Sequence, residues 1–383
     1  MADDCVWIAT DAALASLCAR LETSGWLAVD TEFMRERTYY PQLCLVQVAT
    51  ADRVACVDVL AIQSLEPLFA LLQNPRIIKV LHSARQDLEM FFHLSARVPA
   101  PIFDTQIAAS FAGFPDQAGY ASVVQGLLGV TLEKTHTRAD WSRRPLPEAV
   151  VRYAADDVRY LRDIYLRLRG ELEANGRLPW LESANTTLTD PAVYRPDPDT
   201  AWQRLRGLQR LKPRQFAAAK ALAAWRERQA MTKNLPRQWV LKDEVLTDMA
   251  RQLPADPDAL QAIRGMQESL LRKHGEEWLA LILHAGSDVK PEALPERLAA
   301  RDEALVDVLM ALVRIQSTAA NVSPAQLTTR GELEQLVRGR RDLAVLQGWR
   351  METAGKALLD LLDGKTTLAV HNGVLEMRSV NPN

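Results

Sequence analysis

Trp26-Leu27-Ala28-Val29-Asp30-Thr31-Glu32-Phe33 is the stretch on which the reading of this chain turns. Four apolar residues run straight into an acid, a threonine and a second acid. The short apolar run predicts a strand inside a sheet. Residues i and i+2 of a strand share a face, so Asp30 and Glu32 project together from its end. Two carboxylates held side by side near a protein interior repel each other and lose hydration unless a cation joins them. The pattern therefore favours a metal held by an acid pair at the end of a buried strand. In a chain with 48 acidic residues an Asp-x-Glu alone is a weak sign, and the rest of the sequence has to support it.

Working outward, Leu43 to Val48 and Arg53 to Val59 are β-branched runs with a short connection, which predicts an antiparallel meander. Leu65 to Leu72 reads as a helix ended near Asn74-Pro75. Ile77 to Leu81 is another buried strand, and Gln86 to Leu94 carries apolar residues at helical spacing. Strands first, then strand and helix in alternation, predict a mixed sheet flanked by helices. Asp87 falls just after the Ile77–Leu81 strand, near the start of a helix, where the helix dipole alone would favour an acid. Tyr153 and Asp157, in Val-Arg-Tyr-Ala-Ala-Asp-Asp-Val-Arg-Tyr-Leu, are spaced i, i+4 and share one helix face. Asp156 is turned about a quarter of a circle away and reads as a bystander.

Taken in order, Asp-x-Glu on a strand, a lone Asp after a later strand and Tyr-x-x-x-Asp on a late helix resemble the DEDD superfamily of 3′→5′ exonucleases. The tyrosine four residues before the last aspartate marks the tyrosine subclass. The histidine subclass has its histidine five residues before, where this chain has Arg152. The words Val-Asp-Thr-Glu-Phe, Leu-His-Ser-Ala-Arg-Gln-Asp-Leu-Glu, Phe-Asp-Thr-Gln-Ile-Ala-Ala and Lys-Thr-His-Thr-Arg-Ala-Asp-Trp are similar to those of the bacterial ribonuclease D family.

That resemblance implies a ribonuclease H-like α/β domain and a site made of Asp30, Glu32, Asp87, Tyr153 and Asp157. The four carboxylates would hold two divalent cations, Mg²⁺ or Mn²⁺, which prefer hard oxygen ligands. Tyr153 would orient the attacking water. Thr31 and Phe33 are implied contacts to the terminal nucleotide, and Lys134 and Arg138 are candidate phosphate contacts.

Beyond about residue 171 the pattern changes. Residues 189–200 hold three prolines and little apolar content and read as a linker. The strong segments that follow, 214–230, 258–283, 302–318 and 331–347, all have helical periodicity. The all-α half also looks duplicated. Arg226, Pro236 and Glu244 recur as Arg314, Pro324 and Glu332, an offset of 88, and Leu260-Gln261 recurs as Leu346-Gln347. This predicts an exonuclease domain over 1–170, a linker over 171–200, and two helical modules over 201–286 and 292–376. The modules resemble HRDC domains, named for helicases and ribonuclease D.

Between Ala201 and Val240 there are ten Lys or Arg and a single acid, Glu227. In a chain of net charge -2 this is a local electrostatic footprint for nucleic acid. The interleaved Trp202, Phe216, Trp225 and Trp239 are expected to be core anchors.

The overall balance, 48% hydrophobic and 25% charged, excludes a disordered chain. No apolar run is long enough for a membrane helix, and the opening Met-Ala-Asp-Asp is not the start of a secretory signal. Four cysteines without Cys-x-x-Cys spacing predict reduced thiols rather than a zinc site or disulfide framework. Gly364-Lys365-Thr366 resembles the end of a phosphate-binding loop, but the glycine needed five positions earlier is Leu359. The expectation is a cytoplasmic, monomeric 3′→5′ exoribonuclease, with no membrane association, that trims structured RNA, notably precursor tRNA. A DNA exonuclease of the same superfamily and a non-catalytic RNA-binding protein are the alternatives.

Overall fold

The structure, a computed structural model, describes residues 5–132, 139–286 and 298–380. The chain divides into two compact units. The first comprises Met1–Glu32, Leu43–Val193 and Arg297–Asn383, and the second Phe33–Gln42 and Tyr194–Glu296.

The first unit is built on a six-stranded sheet of β1 (Cys5–Ile8), β2 (Trp26–Met34), β3 (Gln42–Ala49), β4 (Val54–Val57), β5 (Ile78–Leu81) and β6 (Ile102–Asp104), in the order β1-β4-β3-β2-β5-β6. β3 and β4 are antiparallel, as the short connection predicts, while β1 and β4, β2 and β5, and β5 and β6 are parallel. Parallel pairs need crossover helices, and the chain supplies α1 (Asp11–Leu21), α2 (Glu66–Leu72), α3 (Arg85–Ser95), α4 (Thr105–Phe111) and α5 (Tyr120–Leu128). α6 (Glu148–Arg159), α7 (Leu161–Ala174) and α8 (Leu178–Thr189) follow. Residues 171–200, expected as a linker, thus hold the end of α7 and all of α8. Leu181 and Asn185 of α8 are buried, and Asn185 donates to the Ile102 carbonyl of β6, which fixes the helix to the sheet. Only the proline-rich part beyond Asp190 lacks a long helix, because its residues include too few apolar positions to pack one.

Lys79 of β5 is fully buried, and its ammonium donates to the carbonyls of Asn74, Ile77 and Ala100. Gathering three loop carbonyls around one cation satisfies backbone acceptors that would otherwise be orphaned under the sheet.

In the second unit, α9 (Pro213–Lys233), α10 (Arg237–Val240), α11 (Asp243–Gln252), α12 (Pro257–Gln261) and α13 (Glu268–Leu283) enclose a core of Leu222, Trp225, Leu246, Met249, Leu260 and Trp278. The 258–283 periodicity is interrupted between α12 and α13, where Gly265 takes a φ of +84° in the connection. Of the four aromatics expected as anchors, Phe216 and Trp225 are buried and Trp202 packs partly on the core. Trp239 is 59% exposed, because the single turn of α10 turns Val240 and the next residue, Leu241, to the core instead.

The duplicated module continues in the first unit as α14 (Ala300–Ala320), α15 (Pro324–Leu327) and α16 (Arg330–Val337). α9 and α14 each have 21 residues and each end on a left-handed asparagine, Asn234 and Asn321. The short helices that follow, α10 and α15, both end on an extended residue. These features align at an offset of 87, not the 88 expected from matching identities. Buried positions agree: Ala219, Leu222, Trp225, Arg226 and Ala230 correspond to Val306, Leu309, Leu312, Val313 and Ser317. Arg226 therefore corresponds to Val313 and Glu227 to Arg314. Fold constrains which positions are buried and where the chain turns, and the three shared letters at 88 follow neither.

The helix expected over 331–347 stops at Val337, and Gly339 has a φ of +92°. A π-helical turn, Met351–Gly355, leads into a last helix, Lys356–Leu362. Gly355 is required there, since a Cβ would collide with the Val345 carbonyl. The chain then forms an antiparallel hairpin, Thr366–His371 with Val374–Ser379, so this half is not purely helical. Asn372 and Gly373, both at positive φ, form its turn, a signal readable in the sequence as Asn-Gly between apolar runs.

This module is fixed within the first unit by contacts with α4 and the loops around it. The Arg177 guanidinium donates to the carbonyls of Phe111, Ala320 and Asn321, and the Ser323 amide to the Ser110 carbonyl. The Trp180 and Trp349 rings stack with centroids 4.4 Å apart, and Phe111 meets Trp349 edge-on at 5.4 Å.

Candidate active site

Because β2 and β5 are parallel, with Ala28 opposite Val80, the chain leaves both strands at the same end of the sheet. Asp30 and Glu32 lie at that end on β2, and Asp87 lies in the first turn of α3, reached from β5 through a tight turn. Ser83 takes a left-handed φ of +60° in this turn. Asp104 holds the turn in place: its carboxylate accepts from the amides of Ser83 and Ala84 at one side and Gln106 and Ile107 at the other. One buried acid thus caps α4 and fixes the entry to α3. His82 and Thr105 add to this joint, the imidazole Nδ1 lying 3.0 Å from the threonine hydroxyl, which donates to the Leu81 carbonyl. The two sequence words Leu-His-Ser-Ala-Arg-Gln-Asp and Phe-Asp-Thr-Gln meet here, and the joint they form places Asp87.

α6 brings Tyr153 and Asp157. Its buried face is Val150, Ala154, Ala155 and Val158, which leaves Tyr153 and Asp157 half-buried on an adjoining face. Carboxylate oxygens of Asp30, Glu32 and Asp157 lie within 4.8 Å of one another. Asp87 joins through Thr31, whose hydroxyl donates to Asp87 Oδ1.

The electrostatics agree with this geometry. Burial is the largest cause raising Asp30 well above the usual carboxylate range, and Asp157 adds to it. Glu32 is pushed up to about 9 by burial and by Asp30, Asp157 and Asp87. Burial, then Asp30, raises Asp87. Asp157 is pushed to about 7 by burial and by Asp156. Asp156, expected as a bystander, thus acts on its neighbour while it pairs with Arg159 at 3.0 Å. Tyr153 is raised by burial and by the carboxylates, so its phenol keeps its proton at neutral pH. A cluster of acids that resist ionisation together, with oxygen-only donors, fits a divalent cation in its donor set and in its need for positive charge.

Three side chains that sequence reasoning passed over complete the surroundings. Trp141 is buried with its ring 6.3 Å from that of Tyr153. The Arg144 guanidinium holds that loop. It forms a two-pronged ion pair with Asp58, at 2.8 and 2.7 Å, and donates to the carbonyls of Trp141 and Cys44. Tyr120 donates to the Asp156 carbonyl and is raised by burial and by Asp157. An Arg-Pro after a tryptophan was the available signal for the first two; nothing local marked Tyr120.

Of the expected substrate contacts, Thr31 is buried with its hydroxyl engaged by Asp87, and Phe33 lies beneath the Arg35 guanidinium at 6.0 Å. Lys134 and Arg138 lie outside the described residues.

A mixed sheet whose strand ends carry this acid cluster defines the class, a 3′→5′ exonuclease, and the family model of that description matches residues 5–173. An HRDC domain model matches residues 215–282. The chain is 42% identical over 374 residues to ribonuclease D of Gluconacetobacter diazotrophicus, covering 96% of this chain and 95% of that protein. It is likewise 42% identical over 381 residues to ribonuclease D of Acidiphilium cryptum, covering 97% and 96%. Among solved structures it is similar to Escherichia coli RNase D, an exoribonuclease involved in structured RNA processing, with a TM-score of 0.80, 36% identity and coverage of 94% and 98%. The chain belongs to the ribonuclease D family, and its activity is that of a 3′→5′ exoribonuclease. The family implies divalent metal and a nucleic-acid substrate, and no described helix is long and apolar enough to cross a membrane.

Proposed function

We propose that the chain removes nucleotides one at a time from the 3′ ends of structured RNA, notably precursor tRNA, as a cytoplasmic monomer. The observation that carries this reading is the convergence of Asp30, Glu32 and Asp157 within 4.8 Å, beside the Tyr153 face of α6. Nuclease domain 1–170, the partly helical connecting segment 171–200 and helical modules 201–286 and 292–376 are its working parts.

Asp30, Glu32, Asp87 and Asp157 hold two divalent cations, Mg²⁺ or Mn²⁺, which when bound neutralise the scissile phosphate and acidify a water. Asp30, which raises Glu32 and Asp87 and is itself raised by Asp157, would be among the residues that hold the metal. Tyr153, protonated at neutral pH and backed by Trp141, holds the attacking water by its hydroxyl; a phenol this far from ionising is not the base. Water oxygen attacks the last phosphodiester phosphorus, the bond to the 3′-oxygen breaks, and that oxygen takes a proton. The products are a nucleoside 5′-monophosphate and an RNA shorter by one with a free 3′-hydroxyl. The joint around Asp104 and the clamp of Arg144 hold Asp87 and Trp141 in place without touching substrate.

The test is a 5′-labelled tRNA carrying a single-stranded 3′ extension, beside a DNA of the same sequence, with Mg²⁺. A ladder shortening by single nucleotides on RNA is expected, with Asp30→Ala slower by roughly a thousandfold or more. The rate is expected to rise from pH 7 to 9, because the water must lose a proton. Ladders on DNA alone would give the DNA-exonuclease reading instead, and tight RNA binding with no ladder would give the non-catalytic one.

A further inference from the structure

The strand that carries Asp30 and Glu32 does not end in a free loop. The residues that follow, Phe33–Gln42, cluster with the second unit. Tyr39 packs on the core of the first helical module, and its hydroxyl donates to Glu227 Oε1 at 2.5 Å. Arg237 grips the same carboxylate with two prongs, Nε to Oε2 and Nη2 to Oε1, both at 2.6 Å. The same Nη2 lies 3.0 Å from the Tyr39 hydroxyl, and the guanidinium lies over the Tyr39 ring at 4.5 Å. The next residue adds a bond of its own, from the Tyr40 amide to Asn234 Oδ1 at 3.0 Å.

Glu227 is the only acid among the ten cations of residues 201–240, and it is 3% exposed. A carboxylate is seldom buried without a specific partner, because desolvation is unfavourable by several kcal/mol. Burial alone would raise Glu227, but the bonds from Arg237 and Tyr39 prevail and hold it below the usual range. The module fold does not need this charge. In the second module the corresponding position is Arg314, which is exposed, and the position of Arg237 is Pro324. The sister helix has the same length and C-terminal cap, and its five buried positions all fall on buried positions of α9, without the network. What the network adds is a fastening for Tyr39, and Tyr39 lies seven residues beyond Glu32 on the same chain.

We propose that Tyr39, Glu227 and Arg237 form a latch by which the first helical module positions the end of the strand bearing Asp30 and Glu32. They are positioning residues, acting through the backbone of residues 33–39, and the role rests on the metal-dependent exonuclease reading above. The module is then part of the catalytic apparatus and not only a surface for RNA.

The test uses the full chain, with Tyr39→Phe and Glu227→Gln as near-isosteric breaks of the latch and Asp243→Asn as the control. Asp243 pairs with Arg226 in the same module, at 2.6 Å, and has no part in the latch. Two readouts are taken: Mn²⁺ affinity from the paramagnetic resonance of free Mn²⁺, without substrate, and kcat and KM on a trinucleotide too short to reach beyond the site. The latch variants are expected to weaken Mn²⁺ binding and lower kcat by about three- to tenfold, at or below the range for groups that orient metal ligands. KM on the trinucleotide is expected to stay close to wild type. The melting temperature is expected to stay close to wild type in Tyr39→Phe and to fall in Glu227→Gln, which leaves Arg237 without its carboxylate. Asp243→Asn is expected to leave Mn²⁺ affinity and kcat unchanged. Arg237→Lys, which keeps charge but loses one prong, is expected to fall between. Wild-type Mn²⁺ affinity and kcat in both latch variants would overturn the proposal. So would a defect confined to KM on long RNA, which would make these residues part of a binding surface. A wild-type chain that shortens no RNA would instead overturn the exonuclease reading, and the Mn²⁺ titration would still report on the latch.

Discussion

Two helices of 21 residues, α9 and α14, open the two helical modules and end on the same left-handed asparagine, yet they are tied to the rest of the chain by different chemistry. α9 buries two charges, Arg226 and Glu227, each with a partner of opposite sign. α14 has Val313 and an exposed Arg314 in their places. Its module is held by carbonyl-directed bonds from Arg177 and by the Trp180–Trp349 stack. Even the cap asparagines differ in use: Asn234 accepts the Tyr40 amide, while the Asn321 side chain lies where a Cβ on Gly113 would have to be. The difference separates what the module fold requires from what each copy does. Apolar positions and the cap are shared and belong to the fold. Among the described residues, buried ion pairs occur in one copy only, and the pair of Glu227 and Arg237 also holds Tyr39.

Exchanging the residues at the corresponding position tests this most severely. Glu227→Arg would place a second cation against Arg237 in a buried site, and is expected to destabilise by about 3–5 kcal/mol. Arg314→Glu, on an exposed position, is expected to change stability by no more than about 0.5 kcal/mol. Urea unfolding of the two variants measures both, and equal effects would break the comparison. Next in size is Trp349→Ala, which removes the stack holding the second module. Trp349 is only partly buried, so a loss of about 2–3 kcal/mol is expected, below the range for fully buried tryptophans.

The same contrast shows what the sequence could and could not disclose. Asp30 with Glu32, and Tyr153 with Asp157, could be paired from strand and helix periods, whereas Asp87 joined them only through the resemblance in motif order; the structure brings Asp30, Glu32 and Asp157 together. The core of the sheet was legible from the same periods. Asp104, Arg144 and Tyr120 were not, because each acts through one long-range contact that no local pattern encodes. The register of the repeat was misread by one residue because identities were matched, whereas burial and the cap, visible only in the fold, define it. Glu227 was legible as an oddity, a lone acid in a basic stretch, but its partner Tyr39 lies 188 residues away.

Acids in the two units also respond oppositely to pH. Glu227 is held below its usual range, so the stability it contributes is present above the unfolded pKa of about 4.3 and is lost as pH falls. Glu32 and Asp157 are raised, to about 9 and about 7. Their contribution is full below about pH 4 and is lost as pH rises through those values. Metal-free protein is therefore expected to melt a few degrees lower at pH 9 than at pH 5, with the loss in the first unit. Mn²⁺ should restore it, and more at pH 9, where binding displaces fewer protons. Calorimetry in chelator and in Mn²⁺ measures this. The fall is read against Glu32→Gln, which removes one raised acid and keeps Lys79, whose amine burial lowers to about 7 and which acts in the opposite sense. The same pH dependence in both would show that the cluster is not under charge strain.

Among changes to buried groups, the smallest effect is expected at Arg226, the other buried charge of α9. Its guanidinium donates to the Leu241 carbonyl at 2.9 Å and to Asp243 at 2.6 Å. Removing one partner of a buried pair is severe when the other is left buried and alone. Asp243 is not left so: its side chain is 44% exposed, and it keeps the Gln238 amide donor at 2.6 Å. The second module already carries valine at this position, and the surrounding helix is of the same length. Arg226→Met, which keeps most of the stem volume, is thus expected to lower stability by only about 1 kcal/mol, the share of the Leu241 carbonyl that loses its donor. A loss of 3 kcal/mol or more would mean that the first module needs its buried charge to fold, and that the two copies differ in their cores as well as in their contacts.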